Sequence, residues 1–282
     1  MKVENWDLII KPKSKWIDLK LVELWRYRDL LFLFVKRDFI SVYKQTILGP
    51  LWFFVQPILS TIIFMIIFYH FGKLSTDGAP PELFYLGGLT MWNYFADCLT
   101  KNAETFVQNQ NIFGKVYFPR LIVPLSVVIA NLMKLGVQFI LFLLVWFWFY
   151  YFRPGRIAPN AVAWLFPVFV LIMSGLSLGF GIIFSSLTTK YRDMKFLLQF
   201  GVQLMMYASS IVVPLSQVSP EYRWIIKLNP VVSVIEGFKY GFLGTGLFTV
   251  ADLMYSFSCM LVVLFIGIAI FNRVERSFMD TV

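Results

Sequence analysis

Asn93, Asp97, Thr100, Lys101 and Glu104 recur at intervals of three and four in an otherwise apolar stretch, and Asn131, Lys134 and Gln138 repeat the pattern further on. Such spacing places each set on one stripe of a helix. Ionisable groups in an apolar helix are costly, and they face a bundle interior or a water-filled path. If the two helices run antiparallel, Asp97 and Lys134 lie at similar depth, and an ion pair between them would hold the helices in register. A second pattern suits a different chemistry. Trp52, Gln56, Ser60 and Phe64 form an i, i+4 ladder, and Gln199, Gln203, Tyr207 and Ser210 share one face of a later segment. Amides and hydroxyls bond sugar hydroxyls, and aromatic rings stack on sugar C–H faces. The same residues serve equally as polar contacts and packing between helices. An inorganic ion would want carboxylates or carbonyl rings instead.

Groups for making or breaking bonds are not evident. No GxxxxGK[ST] phosphate loop, HExxH or CxxC occurs, so no catalytic residue, metal site or cofactor is expected in this chain. Any ATP hydrolysis would take place on another chain. Cys98 and Cys259 sit in apolar stretches and read as packing residues, and His70, the single histidine, reads as an interfacial one.

The elements that position these residues follow from composition. Of 282 residues, 59% are hydrophobic and 15% charged, with 31 Phe, 13 Tyr and 9 Trp. A soluble domain carries roughly 45–50% apolar and about 25% charged residues, so the chain is expected to be an all-α, polytopic membrane protein. Six segments reach the about 20 residues that a spanning helix needs: 51–71, 83–107, 121–151, 160–187, 196–214 and 250–272. With both termini inside, the inner side carries eighteen Lys and Arg and the outer side six, as the retention of positive loops in the cytoplasm requires. The net charge of +9 then needs no nucleic-acid partner. No cleavable signal peptide is visible, so the first span would direct insertion. Residues 1–50 form a cytoplasmic segment, 51–272 the membrane domain and 273–282 a cytoplasmic tail. Within 160–187, Gly175, Gly179 and Gly181 permit close helix approach.

Residues 21–45 are too charged to span. As one helix they place Leu24, Leu31, Phe32, Val35, Phe39, Val42 and Tyr43 in one arc, with Arg26, Arg37 and Lys44 aligned on the other side. Such a helix lies in the membrane interface. Its basic face either anchors it to anionic lipid or receives the phosphate of a lipid-linked substrate, with Arg26, Arg37 and Lys44 as the candidates. In the outer segment 215–249, Ser219-Pro220 and Asn229-Pro230 each place a capping residue before a proline, so two helices should start there. Both are too short to cross, and two re-entrant helices are expected.

The order of these features resembles the membrane subunit of type-2 ABC exporters, in the branch that exports polysaccharides such as O-antigen, capsule or teichoic acid. The residues that carry the resemblance begin with the basic N-terminal helix leading to Leu48-Gly49-Pro50-Leu51-Trp52 and Gln56-Pro57. Gly88-Leu89, Trp92 and Phe95 follow, then Asn109 to Pro119-Arg120, Tyr191-Arg192-Asp193, Pro214 and Leu228-Asn229-Pro230. Lys239 departs from the arginine expected of such proteins, keeping the charge without the planar fork. The resemblance implies a homodimer with two copies of a separate ABC ATPase that carries ATP and Mg. It also implies a lipid-linked polysaccharide as substrate, a path between the two membrane subunits and residence in a bacterial inner membrane. Gln110, Asn111, Phe113 and Lys115 in one inner loop, and Tyr191, Arg192 and Asp193 in another, would then contact the ATPase. Trp52, Gln56, Ser60, Trp92, Gln199, Gln203 and Tyr207 would line the path. The alternatives are the same architecture exporting a small hydrophobic compound, or a membrane-bound glycan-processing enzyme.

Overall fold

The structure, a computed structural model, describes residues 21–44, 46–113 and 115–281, excepting the side chains of Leu21, Val42, Tyr43 and residues 275–281. The N-terminal twenty residues, and Val42 and Tyr43 of the expected apolar arc, therefore lie outside what is described. Every regular element among the described residues is helical. In chain order the helices are α1 (Leu21–Arg26), α2 (Arg28–Tyr43), α3 (Trp52–Phe64), α4 (Pro81–Ala103), α5 (Thr105–Gln108) and α6 (Gln110–Phe113). They continue with α7 (Ile122–Phe152), α8 (Phe166–Lys190), α9 (Met194–Tyr207), α10 (Pro220–Lys227), α11 (Pro230–Leu243) and α12 (Val250–Thr281).

Four helical stretches are long and apolar enough to cross a membrane: Gly49–Phe71, Ile122–Phe152, Ala161–Lys190 and Val250–Val274. The second expected span is α4, whose 23 residues reach about 34 Å at 1.5 Å each. Its polar stripe keeps it off that apolar set. The fifth expected span differs most. It is helical only over the 14 residues of α9, about 21 Å against the about 30 Å of a bilayer core. Beyond Tyr207 the helix ends, and Ser210 adopts φ 58°, a conformation that L-residues rarely take. The cause lies on α11. Lys239 Nζ donates to the Ser210 carbonyl at 2.5 Å, and the Ser210 hydroxyl donates to Glu236. These bonds hold Ser210 in its turn, so it leaves the amide face on which its spacing had placed it. Residues 209–212 are buried, which is the condition for irregular backbone at membrane depth.

The core is built by α4, α7, α8 and α11, with α12 packed along α8. Glycines set the closest approaches. A Cβ at Gly179 would stand 2.8 Å from Val263 Cγ1 and 3.0 Å from the Leu264 nitrogen of α12, and one at Gly181 2.4 Å from Asn102 Cβ of α4. The small residues noted in α8 thus let two neighbours in on different sides. Phe139 and Phe166 stack at 4.0 Å beside Phe142 and Phe238 of α11. The two proline-started outer helices form where expected but differ in setting. At the start of α11, Asn229 accepts from the Val231 N–H, while Ser219 precedes α10 without a side-chain bond. α11 is sunk in the bundle, whereas α10 has no buried residue.

At the N-terminus the single amphipathic helix is divided: α1 and α2 are separated at Tyr27, and Lys44 follows α2 with extended backbone. The apolar face is also rotated from the expected arc. Phe34 and Val35 are buried and Phe32 is exposed, because α2 packs on α7 and Phe34 meets Phe118 edge-on at 5.8 Å. At the other end α12 runs as one helix to Thr281, so the backbone of the expected tail, through Thr281, extends the last span.

Candidate functional site

The ion pair read from the two polar stripes is present. Lys134 Nζ stands 2.7 Å from Asp97 Oδ2. One turn toward the end that bears α5, Lys101 Nζ donates to Asn131 Oδ1 at 3.1 Å. Four residues forward on α4 and three back on α7 is the register of antiparallel neighbours, so the pairs form a two-step polar ladder along the α4–α7 seam, half-buried at Asp97 and Lys134 and exposed at Lys101. The ion pair satisfies the half-buried Asp97 and Lys134, and the exposed Lys101 satisfies the amide oxygen of Asn131, whose burial alone would be costly.

The expected path residues fall into two groups with one exception. Trp52 is 44% exposed and Tyr207 50%, and Gln56, Gln199 and Gln203 are exposed as well, with Ser60 intermediate. α3 buries only Phe53, Pro57 and Thr61, a single i, i+4 stripe, and α9 buries only Leu198. Their main neighbours are α4 and α7 for α3, and α4 and α8 for α9. Trp92 is the exception: at 3% exposure it packs beside Phe95 in the core, so it is unavailable to a passing molecule.

The two loops expected on the inner side are joined to one another. The first of them contains two single turns, α5 and α6, with Asn109 between them. Glu104 at their start pairs with Lys195 of α9 at 2.7 Å, and Thr188 donates to the Ala103 carbonyl at 2.7 Å. Gln110, Asn111 and Lys115 are exposed, as are Tyr191, Arg192 and Asp193. Phe113 is not. It is buried among Phe106 and Phe118 with the Arg120 guanidinium over its ring at 5.5 Å, so it anchors its loop rather than being presented by it. Glu104 and Lys195 lie far apart in sequence and no local spacing signals their meeting.

Of the three basic residues proposed for a phosphate, Arg26 ends α1, Arg37 lies in α2 and Lys44 stands beyond it. The alignment of all three on one unbroken helix is therefore not kept. Arg37 pairs with Asp38 at 2.8 Å and lines a cavity of about 450 Å³ between α2, α4, α5 and α7. Lys101 lines the same cavity, a placement that needed the tertiary fold. Gly175-Leu176-Ser177-Leu178-Gly179 has the GxSxG spacing of a hydrolase elbow, but Ser177 is mid-helix, buried and donating to the Ser174 carbonyl, with no strand before it. It is a packing residue.

The profile of the ABC-2 type transporter family matches residues 29–243. The chain is 30% identical to the O-antigen export system permease protein RfbA of Klebsiella pneumoniae, over 89% of this chain and 94% of that one. It is 26% identical to RfbA of Myxococcus xanthus over 92% and 98% of the two chains. Identity to the polysialic acid transport protein KpsM of Escherichia coli is 26% over 83% and 89% of the two chains. A helical bundle with an apolar core, a polar seam between α4 and α7 and two sparsely buried helices, matched over residues 29–243, this chain belongs to the ABC-2 type transporter family.

Proposed function

We propose that this chain is the permease subunit of an ATP-driven exporter that moves a lipid-linked polysaccharide outward across a bacterial inner membrane. Two copies pair, each with a separate ABC ATPase, and both termini lie in the cytoplasm. The observation that carries the reading is the contrast between exposure and chemistry on α9. It buries one of its fourteen residues yet presents Gln199, Gln203 and Tyr207, groups that bond and stack on sugars. Trp52, Gln56 and Ser60 on α3 supply the matching wall. The names of the relatives, O-antigen export permease and polysialic acid transport protein, support a polysaccharide as cargo over a small hydrophobic compound.

In this reading α10 and α11 narrow the outer exit, and the exposed inner residues Gln110, Asn111, Lys115, Tyr191, Arg192 and Asp193 meet the ATPase. The Glu104–Lys195 pair then carries movement of either loop to α9. The test is co-purification of the chain with an ABC ATPase, followed by export and ATP turnover in the Arg192→Ala, Asp193→Ala double variant. ATP turnover that persists while export falls is expected. Unchanged export, or a chain that isolates with no ATPase, overturns the proposal.

A further inference from the structure

A half-open cavity of about 260 Å³ lies at the end of α4 remote from α5. It is lined by Met65, Tyr69 and His70 at the end of the first span, Glu82 in the first turn of α4, and Arg153 and Arg156 after α7. Its volume is several times the about 30 Å³ that one water occupies. Its depth follows from α7, which closes on a run of aromatic residues with Trp148, Tyr150 and Tyr151 exposed. Trp and Tyr collect where hydrocarbon gives way to headgroups, so a cavity beginning at Arg153 sits at headgroup depth. The backbone at this rim is unusual. Met65–Phe71 form a π-helix, and the Gly72 N–H donates to the Ile67 carbonyl five residues back at 2.8 Å. Such turns are rare and occur mostly at functional sites.

Opposite charges share this cavity without meeting. Glu82 lines it together with two guanidinium groups, yet among the described residues none of the three makes an ion pair. The Arg153 guanidinium stands over the Phe149 ring at 5.7 Å, which leaves its N–H donors open. His70 Nδ1 lies 3.2 Å from the Met65 carbonyl oxygen. A carbonyl only accepts, so Nδ1 donates and Nε2 of the neutral ring is left as an acceptor. The side formed by the first span and α4 thus offers a carboxylate, an imidazole acceptor and the Tyr69 ring, all suited to a cation. The segment after α7 offers two planar forks suited to a phosphate. A ligand with one charge of each sign satisfies both sides, whereas a plain anion leaves Glu82 repelled and a plain cation leaves both arginines unmatched. A quaternary ammonium has no N–H to give Glu82 or His70, so a primary ammonium fits better.

We propose that this cavity binds the zwitterionic phosphoethanolamine headgroup of a membrane phospholipid, with Arg153 and Arg156 on the phosphate and Glu82 and His70 on the ammonium. Headgroup depth argues for a lipid over a soluble zwitterion, as do the exposed Ile62, Ile63, Ile66 and Ile67 of the first span, which give acyl chains a surface. A bound headgroup fastens the sparsely buried first span to the ends of α4 and α7. The inference needs only the depth of the cavity, so it stands or falls independently of polysaccharide export.

The test is native mass spectrometry of the full chain in detergent, with phosphatidylethanolamine, phosphatidylcholine, phosphatidylglycerol and diacylglycerol of matched tails competing in pairs. Phosphatidylethanolamine should be retained about tenfold more tightly than the other two phospholipids, the worth of one hydrogen bond to a charged group. Glu82→Gln should abolish that preference while phosphatidylcholine still outcompetes diacylglycerol. Arg153→Gln with Arg156→Gln should remove the advantage of all three phospholipids over diacylglycerol. Glu221→Gln changes an exposed carboxylate of α10 outside the cavity and should alter nothing. Each readout is a ratio between lipids on one protein, so lowered stability alone does not move it. A parent chain with no preference for phosphatidylethanolamine, or a preference that survives Glu82→Gln or falls equally in Glu221→Gln, overturns the proposal.

Discussion

α4 and α9 invert what hydropathy alone suggests about inside and outside. α4 carries Asn93, Asp97, Thr100 and Lys101 and is absent from the apolar spans, yet sixteen of its 23 residues are buried. α9 buries only Leu198, and α3, within one of the most apolar stretches of the chain, buries a single stripe. In lipid, apolar surface gains little by turning inward, whereas a polar group gains a partner. On α4 the stripe stays at the seam with α7, with Asn93, Asp97 and Thr100 half-buried and Lys101 exposed, while the other, largely aromatic faces of the helix fill the core. Helices left outside are free to meet a second copy or a substrate.

The comparison breaks first at the polar ladder. Lys134→Met should leave Asp97 without its partner and destabilise the fold by about 2–3 kcal/mol, less than for a fully buried pair because Asp97 keeps 33% of its side chain exposed. Asp97→Asn added to Lys134→Met should recover most of the loss, read as the midpoint of thermal unfolding in detergent. If the single variant melts like the parent, α4 is not held by its charges. Next comes close packing. Gly181→Ala puts a methyl 2.4 Å from Asn102 Cβ and should cost about 1–3 kcal/mol by overpacking, while Gly201→Ala on α9, with open space around it, should be neutral or slightly stabilising. Equal melting of the two would erase the contrast.

Smaller effects sharpen the contrast from the exposed side. Glu104→Lys and Lys195→Glu should each shift stability by no more than about 1 kcal/mol, as partly exposed pairs do, yet lower export per ATP; the double reversal should restore it. A double variant no better than the singles would deny the pair its linking role. Gln203→Ala with Tyr207→Ala should leave thermal stability within about 0.5 kcal/mol and still reduce export of polysaccharide. Export at the parental rate would remove α9 from the path.

Helical class, membrane residence and the antiparallel pairing of Asp97 with Lys134 were legible from spacing, because a helix converts intervals of three and four into one face whatever surrounds it. Proline after a capping residue located both outer helices for the same local reason. Family membership was legible in the order of short motifs along the chain. Where local rules compete with distant partners, the reading failed. Lys239 and Glu236 capture Ser210 and cut α9 short, Trp92 turns into the core, Phe113 anchors a loop expected to present it, and Phe34 replaces Phe32 on the buried face. The Ser210 and Phe34 outcomes have no signal within a few residues, since each is set by a side chain brought from a distant segment of the chain. The sequence by itself determined which segments are helical and which faces are polar. Only the tertiary structure decided which polar faces pair inside and which stay open, because that depends on the neighbour each helix meets and on lipid giving apolar surface no reason to choose.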